Sequence, residues 1–494
     1  MSEDHIKVVC RIRPANSRES SSSGQVRQCL TIPDSSNTVV LNAKPENKSF
    51  TFDFTADADI TQERMFQEVG LPITESCLQG YNGTILCYGQ TGSGKTYTIF
   101  GNSIDTISDC NRLEKEPLRG LVPRVLEHLW DSFTEAQRAD DKYTFECKCS
   151  FYEIYQERVF DLLDVSGSQN VAGLQVREDS KQGVYVEGCT EEAVTSTKDA
   201  HAILVKGYQN RHVAETNMNR ESSRSHAVFQ LSIETSTERP GDGIVVRRKA
   251  RFSMVDLAGS ERQKDTNASG ERLKEASVIN KSLSTLGHVI NALADVASNG
   301  GRKHIHYRDS KLTFLLRDSL GGNSKTTLVA TVSPAELCLA ETLSTLKFAQ
   351  RAKAIRNSAV LNEEASGSIE ALQREITQLK AQLAETSHRK ENIGLEDNKC
   401  ATGPNAGEVS ALILDAVKRC ELADEQKKRA EAKGTSLVQQ LEQSKSSIMG
   451  VKYMLKMRES EISRLKKKSA TPAEGETSTE ELLKVATNAV KDEM

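Results

Sequence analysis

The chain has 494 residues, a formal net charge of −4 and 11 cysteines, room for one large domain with extensions. The near-neutral charge excludes a global basic field, so neither nucleic-acid binding nor attraction to a polyanion is expected, and an acidic partner must be met by a local basic patch. With no apolar run near the roughly 18 residues of a membrane span, no amino-terminal signal peptide and no metal-type cysteine spacing, the chain reads as a reduced cytosolic or nuclear protein without membrane insertion.

Ile6–Pro14 alternates as a strand that stops at proline, and the serine-rich Ser17–Gly24 is a surface loop. Phe50–Phe54 predicts a second short strand. Over Gln62–Tyr81, the residues Met65, Phe66, Val69, Ile73, Cys77 and Leu78 recur at helical spacing, and the pattern closes near Gly80. Thr84–Tyr88 is apolar and partly β-branched, as a buried strand would be. It runs straight into Gly89–Thr96, Gly-Gln-Thr-Gly-Ser-Gly-Lys-Thr, which fits the phosphate-loop pattern G-x-x-x-x-G-K-[ST]. Gly89, Gly92 and Gly94 let the backbone wrap a phosphate without Cβ clashes, with Gln90, Thr91 and Ser93 between them. Lys95 supplies a point charge for the β and γ phosphates, and Thr96 a hydroxyl for Mg²⁺.

Ser103–Pro117 is polar and reads as an exposed loop. Tyr143–Tyr155 alternates as a long core strand, on which Cys147 and Cys149 are packing residues. Ser196–Tyr208 predicts a helix that starts near Ser196 or Thr197. Ala227–Thr235 and Val245–Val255 alternate as strands. Asn219–His226 packs hydroxyls and a cation into eight residues; beside a phosphate loop it reads as a nucleotide-sensing switch. Asp256 closes the apolar run Phe252–Val255, where a carboxylate can hold Mg²⁺ through water. The backbone N–H of Gly259 can sense a γ-phosphate. Helices follow at Ala276–Val296, Ser310–Ser319 and Glu341–Ala354. The alternation of strands and helices predicts an α/β fold, a sheet covered on both faces.

After Asn357 aromatics nearly vanish and heptads appear. Ile369, Leu372, Ile376, Leu379 and Leu383 form a short array, and residues 386–407 break it. A second array holds one register from Val409 to Leu465, with Ile413, Cys420, Lys427, Gly434, Leu441, Ile448, Leu455 and Ile462 at the a positions. A continuous helix there would run on the order of 85 Å at about 1.5 Å per residue. Residues 469–494 are expected to be disordered.

RIRP at 11–14, GQTGSGKT at 89–96, NRESSRSH at 219–226 and DLAGSE at 256–261 together closely resemble the kinesin motor domain, in order and spacing, from about residue 5 to about 362. TFDF at 51–54, KCSFYEIY at 148–155, GSERQKDT at 259–266, YRDSKLTFLLRDSLGGNSKT at 307–326 and FAQRAKAIRNSAVLNEE at 348–364 are similar to the kinesin-12 class, which holds spindle and phragmoplast motors. The resemblance implies a phosphate-loop NTPase fold, a mostly parallel central sheet with helices on both faces, followed by coiled coil. It implies ATP and Mg²⁺ as ligands. It gives Arg11, Arg13 and Pro14 to the adenine-binding motif, and Tyr97 to the position that stacks on the base. Ser223 matches the switch serine that approaches Mg²⁺, and Ser222 the one near the attacking water. Arg224 and Glu261 match the pair that closes the two switches over ATP.

The resemblance also implies microtubules as partner. The matching track contacts are Lys264, Arg272 and Lys274 in and after the second switch, Lys281 on the following helix, and Arg302, Lys303, His304, Arg308 and Lys311 beyond it. His306 stands where most kinesins have proline, and Phe314 where many have arginine. Ala354–Asn362 matches the neck linker, with Ile355 its apolar anchor and Asn362 its later asparagine. Only Met1–His5 precede the first strand, so a short cover strand and a lower stall force are expected. The expected organisation is a motor domain at 1–353, neck linker at 354–364, a short coiled coil at 365–385, a flexible linker at 386–407, a coiled-coil stalk at 408–468 and a tail at 469–494. The function implied is an ATP-driven, plus-end-directed microtubule motor of the cytoplasmic cytoskeleton and spindle, homodimeric through the second heptad array. The alternatives are a nucleotide-gated crosslinker that hardly moves and a kinesin-5-like sliding motor. Kinesin-12 relatives carry a longer stalk, so the chain is read as a fragment, a short isoform or a truncated gene model.

Overall fold

The computed structural model describes residues 4–366, apart from 17–18, 20–26, 34–35, 44–45, 103–112, 115, 165–172, 180–182, 219–221, 239–243, 262–270 and 301–303. Both heptad arrays, the break between them and the carboxy-terminal tail lie outside the described residues, as do most of the Ser17–Gly24 and Ser103–Pro117 loops.

Eight strands make the path of the main sheet: β1 (Lys7–Ile12), β2 (Phe54–Ala56), β3 (Gly83–Tyr88), β4 (Thr144–Tyr155), β5 (Glu192–Val194), β6 (His226–Glu238), β7 (Val245–Asp256) and β8 (Lys325–Val332). Their order is β5-β4-β6-β7-β3-β8-β1-β2. The mostly parallel sheet expected from the sequence is parallel from β7 to β2 and antiparallel from β5 to β7. Parallel strands need covered faces, and β3 is buried at every residue. Its alternate side chains feed two cores: Ile85 and Cys87 point into one, Leu86 and Tyr88 into the other. The first core is closed by α1 (Gln62–Leu78), α2 (Lys95–Ile99), α3 (Leu121–Ala139) and α4 (Thr197–Met218). The second is closed by α5 (Glu271–Asn299), α6 (Lys311–Leu315) and α7 (Leu339–Ala352), with a small three-stranded sheet.

Four local readings are corrected. Phe50–Phe54 is not one strand: Lys48–Thr51 belongs to the small sheet and Phe54–Ala56 to the main one. The chain changes sheets at Asp53, whose N–H donates to the Val8 carbonyl at 2.9 Å while its Oδ2 accepts from the Val8 N–H at 2.8 Å. Helix α1 contains a π turn at Phe66–Gly70, just before Pro72. Proline cannot donate to the carbonyl four residues back, and that carbonyl, of Glu68, accepts from Lys7 Nζ at 2.7 Å instead. Helix α4 runs ten residues past Tyr208, because Asn210 and Arg211 turn inward on polar partners rather than ending the apolar face. Helix α6 is only five residues, started by Ser310 Oγ accepting from the Leu312 N–H.

Candidate nucleotide-binding site

The parallel centre of the sheet delivers three carboxy-terminal ends side by side: β3 into the phosphate loop, β7 into Asp256 and β8 into Ser333. Crevices at such strand ends are where α/β sheets hold ligands. Gly92 and Gly94 have φ of +73° and +103°, a region that L side chains rarely adopt, and a Cβ at either would point into open space. Gly89 is needed for a different reason: a Cβ there would sit 2.2 Å from the Thr331 carbonyl. Ser93 is buried and shares a 2.6 Å hydrogen bond with Thr331, which pins the loop to β8. The resulting cleft, with about 620 Å³ of empty space, is lined by Thr91, Gly92, Gly94, Lys95, Thr96, Tyr97, Ser223 and Leu257.

Lys95 is buried, and its ammonium donates to the carbonyls of Gly89 and Gln90 at 3.0 and 2.9 Å. Burial lowers its pKa, with Asp256 and Glu261 opposing that shift. Thr96 Oγ1 donates to Asp256 Oδ2 at 2.7 Å. Asp256 is 1 % exposed, and its Oδ1 has no hydrogen-bond partner among the described residues. An orphaned carboxylate oxygen beside a threonine hydroxyl and an open glycine cradle fits a hydrated Mg²⁺ on a triphosphate.

Ser223, from the polar run, and Leu257, from the segment after β7, both line this cleft. The Gly259 N–H donates to the Ser223 carbonyl at 2.8 Å, and the Ser260 N–H to the Gly89 carbonyl at 3.1 Å. Glu261 places both carboxylate oxygens on Thr91, accepting from its N–H at 2.8 Å and from its hydroxyl at 2.5 Å. Among the described residues the carboxylate of Glu261 is held by the phosphate loop, and no ion pair between it and Arg224 is present. Ser222 and Arg224 lie on the short turn Ser222–Arg224, and the Ser222 side chain is outside the described residues.

A match to the family described as Kinesin motor domain covers residues 11–355. The chain belongs to the kinesin motor family. KIF15-B of Xenopus laevis is 48 % identical over 470 residues, 94 % of this chain and 33 % of that protein. KIN-12D of Arabidopsis thaliana is 51 % identical over 384 residues, 77 % of this chain and 13 % of that protein. Its similarity to KIF15 and KIN-12 proteins is a likeness to the kinesin-12 class, and it spans about a third of the length of the KIF15 proteins it matches. Among solved structures, a "fast kinesin" is 41 % identical with a TM-score of 0.64, covering 73 % of this chain and 94 % of that one. A KIF14 dimer in complex with a microtubule and AMP-PNP is 36 % identical with a TM-score of 0.63, over 73 % and 97 %.

The three residues of the expected adenine motif are not equivalent. Arg11 is buried and lies behind Tyr97, its guanidinium carbon 5.1 Å from the ring centroid; it donates to Gln62 Oε1 and Thr98 Oγ1 at 2.8 and 2.9 Å. It can support the Tyr97 ring rather than reach a base past it. Arg13 donates through Nε to the Gly92 carbonyl and through Nη1 to the Pro14 carbonyl, both at 2.8 Å.

Sequence reasoning missed a buried polar layer beneath the switches. Arg211 on α4 is 1 % exposed, pairs with Glu153 at 3.3 Å and with Asp256 Oδ2 at 3.5 Å, and donates to Ser225 Oγ at 3.2 Å. His226 Nδ1 accepts from the Ala258 N–H at 2.9 Å, so its Nε2 carries the proton shared with Ser282 Oγ on α5 at 2.8 Å. Burial pushes the His226 pKa down to about 3, with the charges of Arg211 and Lys95 adding to it. The only signal for this layer was polar residues where a core face was due.

The expected track contacts fare unevenly. Lys264, Arg272, Lys274, Arg302 and Lys303 have side chains outside the described residues. Lys281 and His304 are exposed. Arg308 is exposed but pairs with Glu178 at 2.8 Å. Lys311 is partly buried with its ammonium on the Leu174 carbonyl at 2.9 Å, and burial lowers its pKa. The segment after α7 lies along the core. Asp4–His5 pairs antiparallel with Arg356–Asn357, and Glu363–Ser366 with the start of β7. Ile355 is 1 % exposed, and Asn362 Nδ2 donates to the Gly80 and Lys249 carbonyls. Asn357, also missed, is buried with its amide donating to Ser319, Ser324 and Thr326.

Proposed function

We propose that this chain is a microtubule-stimulated ATPase that turns ATP hydrolysis into plus-end-directed movement. The observation that carries the reading is the hydrogen-bonded run from the cleft to α5. Gly259, Ser260 and Glu261 bond the second switch to the first switch and to the phosphate loop. His226 then ties both switches to Ser282 on α5, the helix that bears Lys281. A γ-phosphate arriving at the Gly259 N–H competes with the Ser223 carbonyl for one donor, so its presence or loss repositions the switches. Transfer of Glu261 from Thr91 to Arg224 would then close the cleft and hold water for in-line attack, where positioning and electrostatics supply most of the catalysis. Ser222 orients that water, and Ser223, Thr96 and Asp256 hold Mg²⁺, which supplies charge neutralisation at the phosphate oxygens.

Residues 354–366 serve as the lever, docked along the core through Ile355, Asn357 and Asn362. Residues 1–353 are the motor domain, and the heptads of 408–468 pair two chains. The similar KIF14 structure is a dimer on a microtubule, which supports pairing and a place on the cytoskeleton; the spindle reading rests on the kinesin-12 resemblance. Lys264, Arg272, Lys274, Lys281, Arg302, Lys303, His304 and Arg308 form the track face; Lys311 serves it by anchoring α6. Steady-state ATPase against microtubule concentration tests the reading. Turnover is expected to rise to saturation and to vanish in Lys95→Ala; turnover indifferent to microtubules would refute it.

A further inference from the structure

Glu19 lies in a stretch that reads as a serine-rich surface loop, yet it is one of the most engaged carboxylates of the molecule. Its side chain is 8 % exposed and pairs with Arg13 through both oxygens. Oε2 also accepts from the Asn16 N–H at 3.0 Å, and Oε1 from Ser333 Oγ at 2.8 Å. The hydrogen bonds from Arg13 hold its carboxyl at about 2, well below the usual carboxylate range. With the Cys338 thiol on Oε1 at 3.7 Å, five donors on two oxygens leave this carboxylate a single place, at the ends of β1 and β8.

What that place controls is Arg13. With both terminal nitrogens committed to Glu19 and Pro14, the remaining Nε–H is aimed at the Gly92 carbonyl, 2.8 Å away. Gly92 sits at φ +73° with nothing packed against the side a Cβ would occupy. No side chain of its own holds that peptide in the conformation that opens the phosphate cradle, so an external donor on its carbonyl does so. A guanidinium free to rotate would leave the carbonyl and let the loop relax.

We propose that Glu19 is a positioning residue for nucleotide binding, orienting Arg13 so that its Nε–H holds the Gly92 peptide of the phosphate loop open. Glu19 acts through Arg13, its Oε1 contact to the Cys338 thiol, which meets Gln90, being the weaker path to the loop. This rests on the reading of the cleft as an ATP site.

The test is ATP dependence of turnover at saturating microtubules for the full chain, the isosteric Glu19→Gln, Arg13→Ala and the double variant. Glu19→Gln is expected to raise the KM for ATP about tenfold while kcat stays within twofold of wild type. The double variant is expected to match Arg13→Ala within twofold, because the other path from Glu19 to the phosphate loop, through the Cys338 thiol to Gln90, runs over a weak 3.7 Å contact. A KM within twofold of wild type, equal proportional losses in kcat and KM, or additive penalties in the double variant would overturn the inference. Should Glu19→Gln fail to fold, Glu19→Asp takes its place under the same criteria. Fluorescent-ADP binding to the wild-type chain separates the two levels: no saturable binding there refutes the ATP site itself, whereas saturable binding with an unmoved Glu19→Gln constant refutes only the role of Glu19.

Discussion

At the scale of single residues, the site is set by polar groups whose partners are specified on all sides. Glu261 shows the consequence: its carboxylate rests on Thr91, so the pairing with Arg224 is a second position for the same group rather than a fixed bridge. Arg224→Ala and Glu261→Gln should each leave ATP binding within a few-fold while lowering microtubule-stimulated kcat by about 10²–10³, the range for a removed transition-state partner. Full turnover in both single variants would dismiss the latch. His226 gives a pH prediction. Its pKa is about 3 when folded and 6.5 as the ordinary value, so between these the unfolded chain binds a proton that the native chain refuses. Stability therefore rises with pH across that window and is lost as pH falls below about 6.5, by up to about 1.4 kcal/mol per unit. Urea unfolding at pH 7.5 and 5.5 should show a smaller difference for His226→Asn than for wild type; equal differences would exclude His226 as the source.

At the scale of elements, apolar periodicity located the strands and helices that face a core, and it failed where a polar side chain was buried. Tyr208 looked like the end of α4 because the sequence cannot say that Arg211 will find Glu153 and Asp256. The π turn of α1 was hidden for the same reason: its stabilising donor, Lys7, is 61 positions away from the carbonyl it meets. Lys7→Met should leave the Glu68 carbonyl short of a partner and cost about 1–2 kcal/mol, read as a lower urea midpoint at unchanged m-value. The lever is held by another buried amide. Asn357→Ala would strand the Ser324 carbonyl and the Gly321 N–H, while the Ser319 carbonyl keeps the Thr326 hydroxyl, disfavouring docking by about 2–3 kcal/mol. A spin label on the linker should report an undocked population and gliding should slow, with ATPase retained; a wild-type docked signal would show that strand pairing alone suffices.

At the scale of the whole molecule, the kinesin motor was legible before any coordinates, because phosphate-loop chemistry needs particular residue types at fixed spacing. The strand before Gly89, the helix that opens at Lys95 and the strand end at Asp256 fall where those motifs placed them. The proposed track face was legible only as charge, and charge does not reveal which cations are already spent inside the molecule, as Lys311 is. The remaining exposed cations should make microtubule affinity fall steeply with salt, since such charges are screened beyond about 8 Å at physiological ionic strength. What unites the account is that one cleft gates both a grip and a lever. Gliding of polarity-marked microtubules over the surface-bound chain tests this most directly. The account predicts ATP-dependent gliding with minus ends leading, abolished by Lys95→Ala; microtubules that bind but stay still at saturating ATP, or that glide with plus ends leading, would contradict it.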